Sequence, residues 1–292
     1  MLQGKVHQAL KLVNADTDVC GVHQMSDDIR NVLKEKHPTG EEAQEDVLDE
    51  SEVPRVEEVI FETISASAVQ QCALKTSGSG GPTKIDAEVW KKMICSKSYG
   101  NCSDDLAEEI AVFARRLCVE DIRHESLEMF WACRLVPLMK DDDGVRPVGI
   151  GETLRRIVGK CVLKAVGNDV QMAAGALQTC AGIQSGIEAA IHAMAKTFKE
   201  EECEAVILVD ADNAFNRLNR KVALHNISRS CPSLYQYLYN GYKAAAKLHL
   251  GDGTHILSEE GVTQGDNLAM AKYAIGTRNL ISSLAQGNNE VR

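Results

Sequence analysis

The sequence predicts an α+β fold that is rich in helices and contains a few short strands. Most apolar residues recur at helical spacing. Two pairs of short apolar runs flank turn-forming residues, at 134–150 and 247–258, and predict two hairpins. The run AVILV at 205–209 predicts a strand buried on both faces. With 292 residues, 44% of them hydrophobic, the chain can bury the core of one large or two ordinary domains.

The N-terminal part is predicted to be helical. Residues 4–14 and 27–36 have helical apolar spacing, and HPTG at 37–40 ends the second helix with a proline and a glycine. We therefore define an N-terminal helical region over residues 1–40.

A strongly acidic stretch follows. Between Glu41 and Glu62 there are ten acids and one base, Arg55, so this stretch carries a charge of −9. The rest of the chain sums to −10 minus −9, or −1. We interpret residues 41–63 as an acidic linker, and the charge balance neither supports nor excludes a nucleic-acid partner.

Helices and one loop fill the middle of the chain. A helical pattern near residues 57–75 runs into the loop KTSGSGGPTKID at 75–86, whose glycines and serines disfavour regular structure. Ser103 is predicted to be the N-cap of the next helix. Further helices are predicted at residues 151–166, 182–198, 219–229, 233–245 and 267–284.

Composition disfavours several classes of protein. The ten cysteines include no CxxC pair, which disfavours structural zinc, and several lie on apolar helix faces as reduced thiols. The sequence has no signal-peptide pattern and no apolar run of about 18 residues. We expect an intracellular protein with no membrane partner, and the sequence does not distinguish the nucleus from the cytoplasm.

Two acids follow the predicted strand 205–209. Asp210 would lie at the carboxyl end of the strand, where open sheets place ligands, and is a candidate metal ligand. A calcium loop is excluded because Phe215 and Lys221 occupy positions that need glycine and glutamate. A phosphatase of the haloacid-dehalogenase type, with Asp210 as nucleophile, is disfavoured by Ala214. A metal-dependent glycosyltransferase and a simple turn that begins at Asp210 and Asp212 stay open.

Four segments in order resemble reverse transcriptases. The stretch DADNAF, with Asp210 and Phe215, resembles their first palm motif, and GVTQGDNLAM at 261–270 is similar to the second. Upstream, the loop at 75–86 and PLMKDDDGVRPVGIG at 137–151 resemble segments of the fingers. The resemblance covers about residues 70–275 and is to the enzymes of non-LTR retrotransposons and related invertebrate elements.

This resemblance implies a fold and a division into regions. The fold would be the fingers and partial palm of a right-hand polymerase, rich in helices, with a short mixed or antiparallel palm sheet. Residues 64–200 would form a fingers-like region. Residues 201–292 would form a partial palm that contains only the first and second palm motifs.

The same resemblance implies the reaction and its residues. RNA-directed DNA polymerases perform two-metal nucleotidyl transfer, in which two Mg²⁺ ions act at the attacking and leaving oxygens. Asp210 would be the catalytic metal ligand. The partners would be an RNA or DNA template with primer, together with deoxynucleoside triphosphates. The nucleotide-binding residues would be Lys140, Arg146, Phe215, Gln264 and Gly265.

A row of bases at a spacing of four is the candidate nucleic-acid contact. Arg156, Lys160 and Lys164 fall on one face of the helix predicted at 151–166, where they would meet template phosphates. An ordinary solvated helix face explains the same spacing. The pattern alone leaves both interpretations open.

The resemblance breaks after the second palm motif. The third motif needs two adjacent aspartates, and none follows Gly265. Asn267 also stands where the family has proline. We therefore expect a truncated polymerase that is inactive alone. The alternatives are a noncatalytic remnant of such an element that binds RNA or protein, and an unrelated metal-dependent transferase.

Overall fold

The computed structural model describes residues 21–43, 48, 56–140, 144–179, 181–200, 205–206, 208–263 and 265–287. It confirms a helix-rich α+β fold with one mixed four-stranded sheet. The helix predicted at 4–14, the turn acids 141–143 and Gln264 lie outside these residues.

Helices make up most of the described chain. Short 3₁₀ helices span Glu58–Thr63 and Lys97–Tyr99. The α-helices are α1 (Asp27–Glu35), α2 (Ala66–Leu74), α3 (Ala87–Cys95), α4 (Asn101–Val119), α5 (His124–Trp131), α6 (Thr153–Ala174), α7 (Gly186–Thr197), α8 (Ala214–Arg217), α9 (Arg220–Ser230), α10 (Pro232–Tyr242), α11 (Ala269–Gly276) and α12 (Arg278–Gly287).

Two hairpins form the sheet, as the sequence predicts. The strands are β1 (Cys133–Met139), β2 (Val145–Gly151), β3 (Ala246–His249) and β4 (His255–Ser258), in the order β2-β1-β3-β4. Each hairpin is antiparallel, and β1 pairs with β3 in parallel through Cys133 and Leu248. The two hairpins therefore join into one mixed sheet.

The sheet has a small core of its own. Alternate residues of β1, such as Cys133 and Leu135, are buried on one face, where Leu33 of α1 covers them. Val22 forms a bridge with Leu138, so the segment that precedes α1 extends the free edge of β1. The N-terminal part thus packs on the first hairpin.

A second, larger core surrounds α6. This helix buries Ile157, Val158 and Val162 completely, and α2, α4, α10 and α11 pack around it. Trp131, at the end of α5, is buried in the same core. The α6 helix therefore links the hairpin that precedes it to the rest of the fold.

The structure corrects three local predictions. Residues 205, 206, 208 and 209 form no strand, and Val209 is 90% exposed. A strand without a neighbour leaves its backbone N–H and C=O groups unpaired. Within the described residues, the sheet contains no strand that pairs with this segment. Helix α4 begins at Asn101, so Ser103 is inside it and its hydroxyl donates to the Met93 carbonyl. The helical pattern of residues 57–75 is interrupted at Ser65, which caps α2.

In the part of the chain that the structure describes, no helix combines the length and the apolar character that crossing a bilayer requires.

Candidate functional site

The Gly- and Ser-rich loop 75–86 is held against the base of the first hairpin. The Glu152 carboxylate accepts hydrogen bonds from the Thr83 backbone N–H at 2.8 Å and the Thr83 hydroxyl at 2.7 Å. Arg134 of β1 donates to the Ser79 hydroxyl and the Gly80 carbonyl, each at 3.2 Å. A loop that sequence describes only as irregular is therefore fixed by the strands that follow it.

The turn at Gly265 lies directly against β2. Gly265 has a φ of +101°, and a Cβ atom there would lie 2.5 Å from the Gly149 carbonyl oxygen. Both the backbone conformation and the close approach require glycine. This turn therefore contacts the first hairpin.

The segment after Asp210 lies beside the same turn. The Phe215 carbonyl accepts a hydrogen bond from the Val262 N–H at 2.7 Å, and the Leu218 carbonyl accepts one from the Gly261 N–H at 3.0 Å. The Phe215 ring is 5.0 Å from the Tyr273 ring, centroid to centroid. All four segments of the resemblance therefore join into one continuous set of contacts.

A buried ion pair fixes the residue after Gly265. The Arg155 Nη2 atom lies 2.8 Å from Asp266 Oδ2, and both side chains are almost fully buried. The Tyr242 hydroxyl donates to the same carboxylate at 3.0 Å. Burial lowers the pKa of Arg155, but Asp266 together with Cys133, Tyr242 and Tyr237 outweighs burial and raises that pKa above its usual value. Arg155 therefore remains a cation.

Two further buried bases hold the segment from the other side. The Lys272 Nζ atom donates to the Gly261 carbonyl at 3.1 Å and lies 3.5 Å from the Tyr242 ring centroid. Arg220 donates to the same carbonyl at 3.3 Å. Burial lowers the pKa of Arg220 to about 10, and burial together with the charge of Arg220 lowers the pKa of Lys272 well below its ordinary value.

These buried charges were not identified from sequence. The signal available was a lysine within an otherwise apolar helix, at Lys272 in AMAKYAIG. A lysine is almost never fully buried without a reason, so this position could have been singled out. Nothing in the sequence indicated that Arg155 and Asp266 would meet.

The two candidate triphosphate ligands lie at the tip of the first hairpin. Lys140 and Arg146 are both exposed. Arg146 pairs with Leu138, and Lys140 is two residues further along, so both project from the same face of the hairpin. The hairpin thus presents two positive charges on one face.

The row of bases on α6 contacts the neighbouring loop and helix. Arg156 donates to the Ser77 and Ser79 carbonyls, at 2.8 and 2.6 Å. Lys160 donates to the Lys75 carbonyl, and Lys164 to the Gln71 side chain. These acceptors are neutral, so the bonds position the three cations without cancelling their charge.

The candidate metal ligand is exposed to solvent. Asp210 follows residues 208 and 209, which have no regular structure, and Asp212 forms a long ion pair of 3.5 Å with Arg217. Among the residues described, no three His, Cys, Asp or Glu side chains come close enough to hold a metal ion. Two Mg²⁺ ions need several oxygen ligands. The described side chains do not fit a two-ion centre.

Three asparagines, also not identified from sequence, fasten the N-terminal part to this segment. Asn213 and Asn216 both donate to the Lys36 carbonyl at 2.9 Å. Asn219 donates to the Glu41 carbonyl at 3.2 Å. Their spacing of three residues in NAFNRLN was visible in the sequence, but the partner was not.

No family model of known proteins matches the chain, and no curated protein is significantly similar to it. Any functional assignment therefore depends on the residues themselves. The first hairpin has two exposed positive charges near its tip and a closely packed backbone turn against its second strand, and exposed positive charge suits the binding of a phosphate-bearing ligand.

Proposed function

We propose that this chain is the fingers and partial palm of an RNA-directed DNA polymerase of the retrotransposon type. One observation carries the proposal. The turn at Gly265 packs on Gly149 of the hairpin, although more than a hundred residues separate them in sequence. A polymerase needs this junction, because its nucleotide pocket lies between fingers and palm.

In this proposal the hairpin and the turn bind the incoming deoxynucleoside triphosphate. Lys140 and Arg146 supply the positive charge that phosphoryl transfer requires. Gly265 would bring the backbone close to the nascent base pair, and Phe215 would lie beneath the sugar. Gln264 is outside the described residues, and the resemblance assigns it to the same nucleotide pocket. The contact between Phe215 and Val262 supports this grouping, since it places the ring's segment next to the turn.

The template with its primer would lie along α6. Arg156, Lys160 and Lys164 form a row of cations whose hydrogen-bond acceptors are neutral, which suits a backbone that must be bound whatever its sequence. The loop 75–86 fixes that row through its carbonyl groups. An RNA or a DNA template satisfies these contacts equally.

The proposed reaction requires Mg²⁺. Asp210 would be one ligand of the two Mg²⁺ ions that the reaction of this family uses. Residues 266–292 contain no paired aspartates, which the reaction of this family also uses. We expect no primer extension by this chain alone.

Template binding tests the proposal directly. Fluorescence anisotropy would measure the affinity of the chain for an RNA template annealed to a DNA primer, over a series of salt concentrations. Replacing both Lys160 and Lys164 with alanine should lower the salt slope by about 2, roughly one for each lost phosphate contact. The control is the double variant Lys34→Ala with Lys196→Ala, which removes the same charge from exposed sites elsewhere.

Equal weakening by the two double variants would mean that only net charge matters, and the proposed template path would be rejected. Absence of any binding by the wild-type chain would reject the polymerase assignment of α6.

Lys140→Ala with Arg146→Ala should leave template binding within about twofold and weaken the binding of a labelled deoxynucleoside triphosphate by about tenfold.

A noncatalytic, element-derived protein that binds RNA or protein is the second candidate. The exposure of Val209 and Asp210 favours it, because a working palm would hold its metal ligand in a fixed position. Primer extension separates the two candidates, using this chain and a version fused to a palm segment that carries paired aspartates. Activity of the fusion alone supports the polymerase, whereas inactivity of a folded fusion that binds template supports the noncatalytic protein.

A further inference from the structure

Helix α7 is exposed on nearly every side. Its first residue, Gly186, packs against the Thr179 carbonyl, but most of the residues that follow are open to solvent. Large apolar side chains are among them, with exposed fractions of 59% at Ile187, 53% at Ile191, 40% at Met194 and 58% at Phe198 just after the helix. This exposure is unusual, because a soluble helix normally buries its apolar face.

The four apolar residues form a single stripe. Their spacings of four, three and four are those of a coiled-coil seam. Ala190 and Ala195 border the stripe, and their small side chains allow another helix to approach closely. A helix of only 12 residues is marginal alone in water. The stripe therefore fits a second helix better than solvent.

The charges beside the stripe indicate which helix would fit. Glu188 lies in the first turn of α7, and Lys199 lies in the turn that follows its last residue, Thr197, so the two charges are at opposite ends of the stripe. In an antiparallel pair of identical helices, Glu188 of one copy lies beside Lys199 of the other. In a parallel pair, the two N-terminal turns lie together, so Glu188 of one copy would have no Lys199 of the other copy beside it.

We propose that α7 pairs antiparallel with the α7 helix of a second copy of this chain, through a two-fold axis that crosses the apolar stripe. Such an isologous contact uses the same residues on both copies. Each helix is only about 18 Å long. We expect an interface near the lower end for specific complexes, about 1,000 Å² in total, and a dissociation constant on the order of micromolar.

Sedimentation equilibrium of the full chain over a range of concentrations tests the pairing. The expected mass rises from 31.8 kDa towards twice that value with increasing concentration. Ile191→Glu should keep the chain monomeric by placing a charge in the stripe. Ala193→Glu adds the same charge to an exposed position away from the stripe and should leave the dimer intact.

Charge reversal tests the antiparallel direction. Glu188→Lys alone and Lys199→Glu alone should each weaken the dimer about tenfold, and the two together should restore it. Circular dichroism would show that each variant keeps its helix content. A constant monomer mass at every concentration, equal effects of Ile191→Glu and Ala193→Glu, or no rescue by the double reversal would each overturn the proposal.

Discussion

Asp266 and Asp210 occupy opposite environments, although both belong to the motifs that suggested a polymerase. The Asp266 carboxylate is buried and bonded to Arg155 and Tyr242, at the junction of hairpin, turn and α6. Asp210 is exposed, at the end of an apolar segment that has no strand beside it in the described chain. Buried partners fix the position of Asp266. Asp210, the acid predicted to bind the catalytic metal, is exposed and is not fixed in this way.

Breaking the buried pair should have the largest effect. Asp266→Ala leaves Arg155 buried without its counter-charge, and the free energy of unfolding should fall by about 3–5 kcal/mol. Asp212→Ala removes only the exposed pair with Arg217 and should cost about 0–1 kcal/mol. Urea unfolding of both variants measures the difference. If both variants lost a similarly small free energy of unfolding, the buried pair of Arg155 and Asp266 would not be what stabilises the junction.

The backbone contact at the junction gives the next largest effect. Gly265→Ala should cost roughly 2–4 kcal/mol, because the new Cβ would meet the Gly149 carbonyl in addition to straining the backbone. Gly253→Ala is a matched control, since it also has a positive φ but has no other atom within 4 Å of the added Cβ. It should cost about 1–2 kcal/mol. If the two losses were equal in urea unfolding, close packing at Gly265 would contribute nothing.

The buried lysine should make stability depend on pH. The pKa of Lys272 is lowered by burial and by the charge of Arg220, so the folded state releases this proton at a lower pH than the unfolded state. The free energy of unfolding should therefore rise as the pH increases from the lowered folded pKa towards the ordinary lysine pKa. Unfolding at pH 7.5 and 9.5 should show a smaller rise for Lys272→Met than for wild type. Lys92→Met, at an exposed position, should retain the wild-type rise.

The exposed segment should give the smallest effect. Leu208 is 79% exposed, so Leu208→Ala should change the free energy of unfolding by less than about 0.5 kcal/mol. Leu268 is 1% exposed, and the same substitution there should cost about 2–5 kcal/mol. A large loss from Leu208→Ala in thermal unfolding would mean that this segment is covered in solution.

Sequence predicted the elements whose structure is local. Both hairpins followed from alternating strands around turn residues, and α6 from its helical apolar spacing. The prediction at 205–209 was wrong because an apolar run becomes a strand only when a neighbour pairs with it, and a neighbour is not encoded within the run itself. Ser103 was predicted to be the N-cap, but the helix begins earlier, at Asn101. Its N-cap is Gly100, which provides no side-chain hydrogen bond, so a capping side chain does not mark this helix start.

The site was predictable only as an order of segments. The sequence placed the segments of Gly149, Phe215 and Gly265 in one ordered series of motifs. Only the structure shows which of their atoms are in contact. Arg155 and Asp266 are 111 residues apart, so no local pattern could pair them. Asn213, Asn216 and Asn219 likewise donate to backbone carbonyl groups, which every residue has, so the sequence does not identify their partners. Long-range polar partners are what single-sequence patterns omit.

The parallel pairing of β1 with β3 has a consequence for how the chain folds. Each hairpin can form from neighbouring residues within microseconds, whereas Cys133 must meet Leu248 across a very long loop. We expect the hairpins to appear early in refolding and their joining to limit the rate. Stopped-flow refolding of Leu248→Ala should be slowed if this contact belongs to the rate-limiting step, and an unchanged folding rate with faster unfolding would place the joining after it.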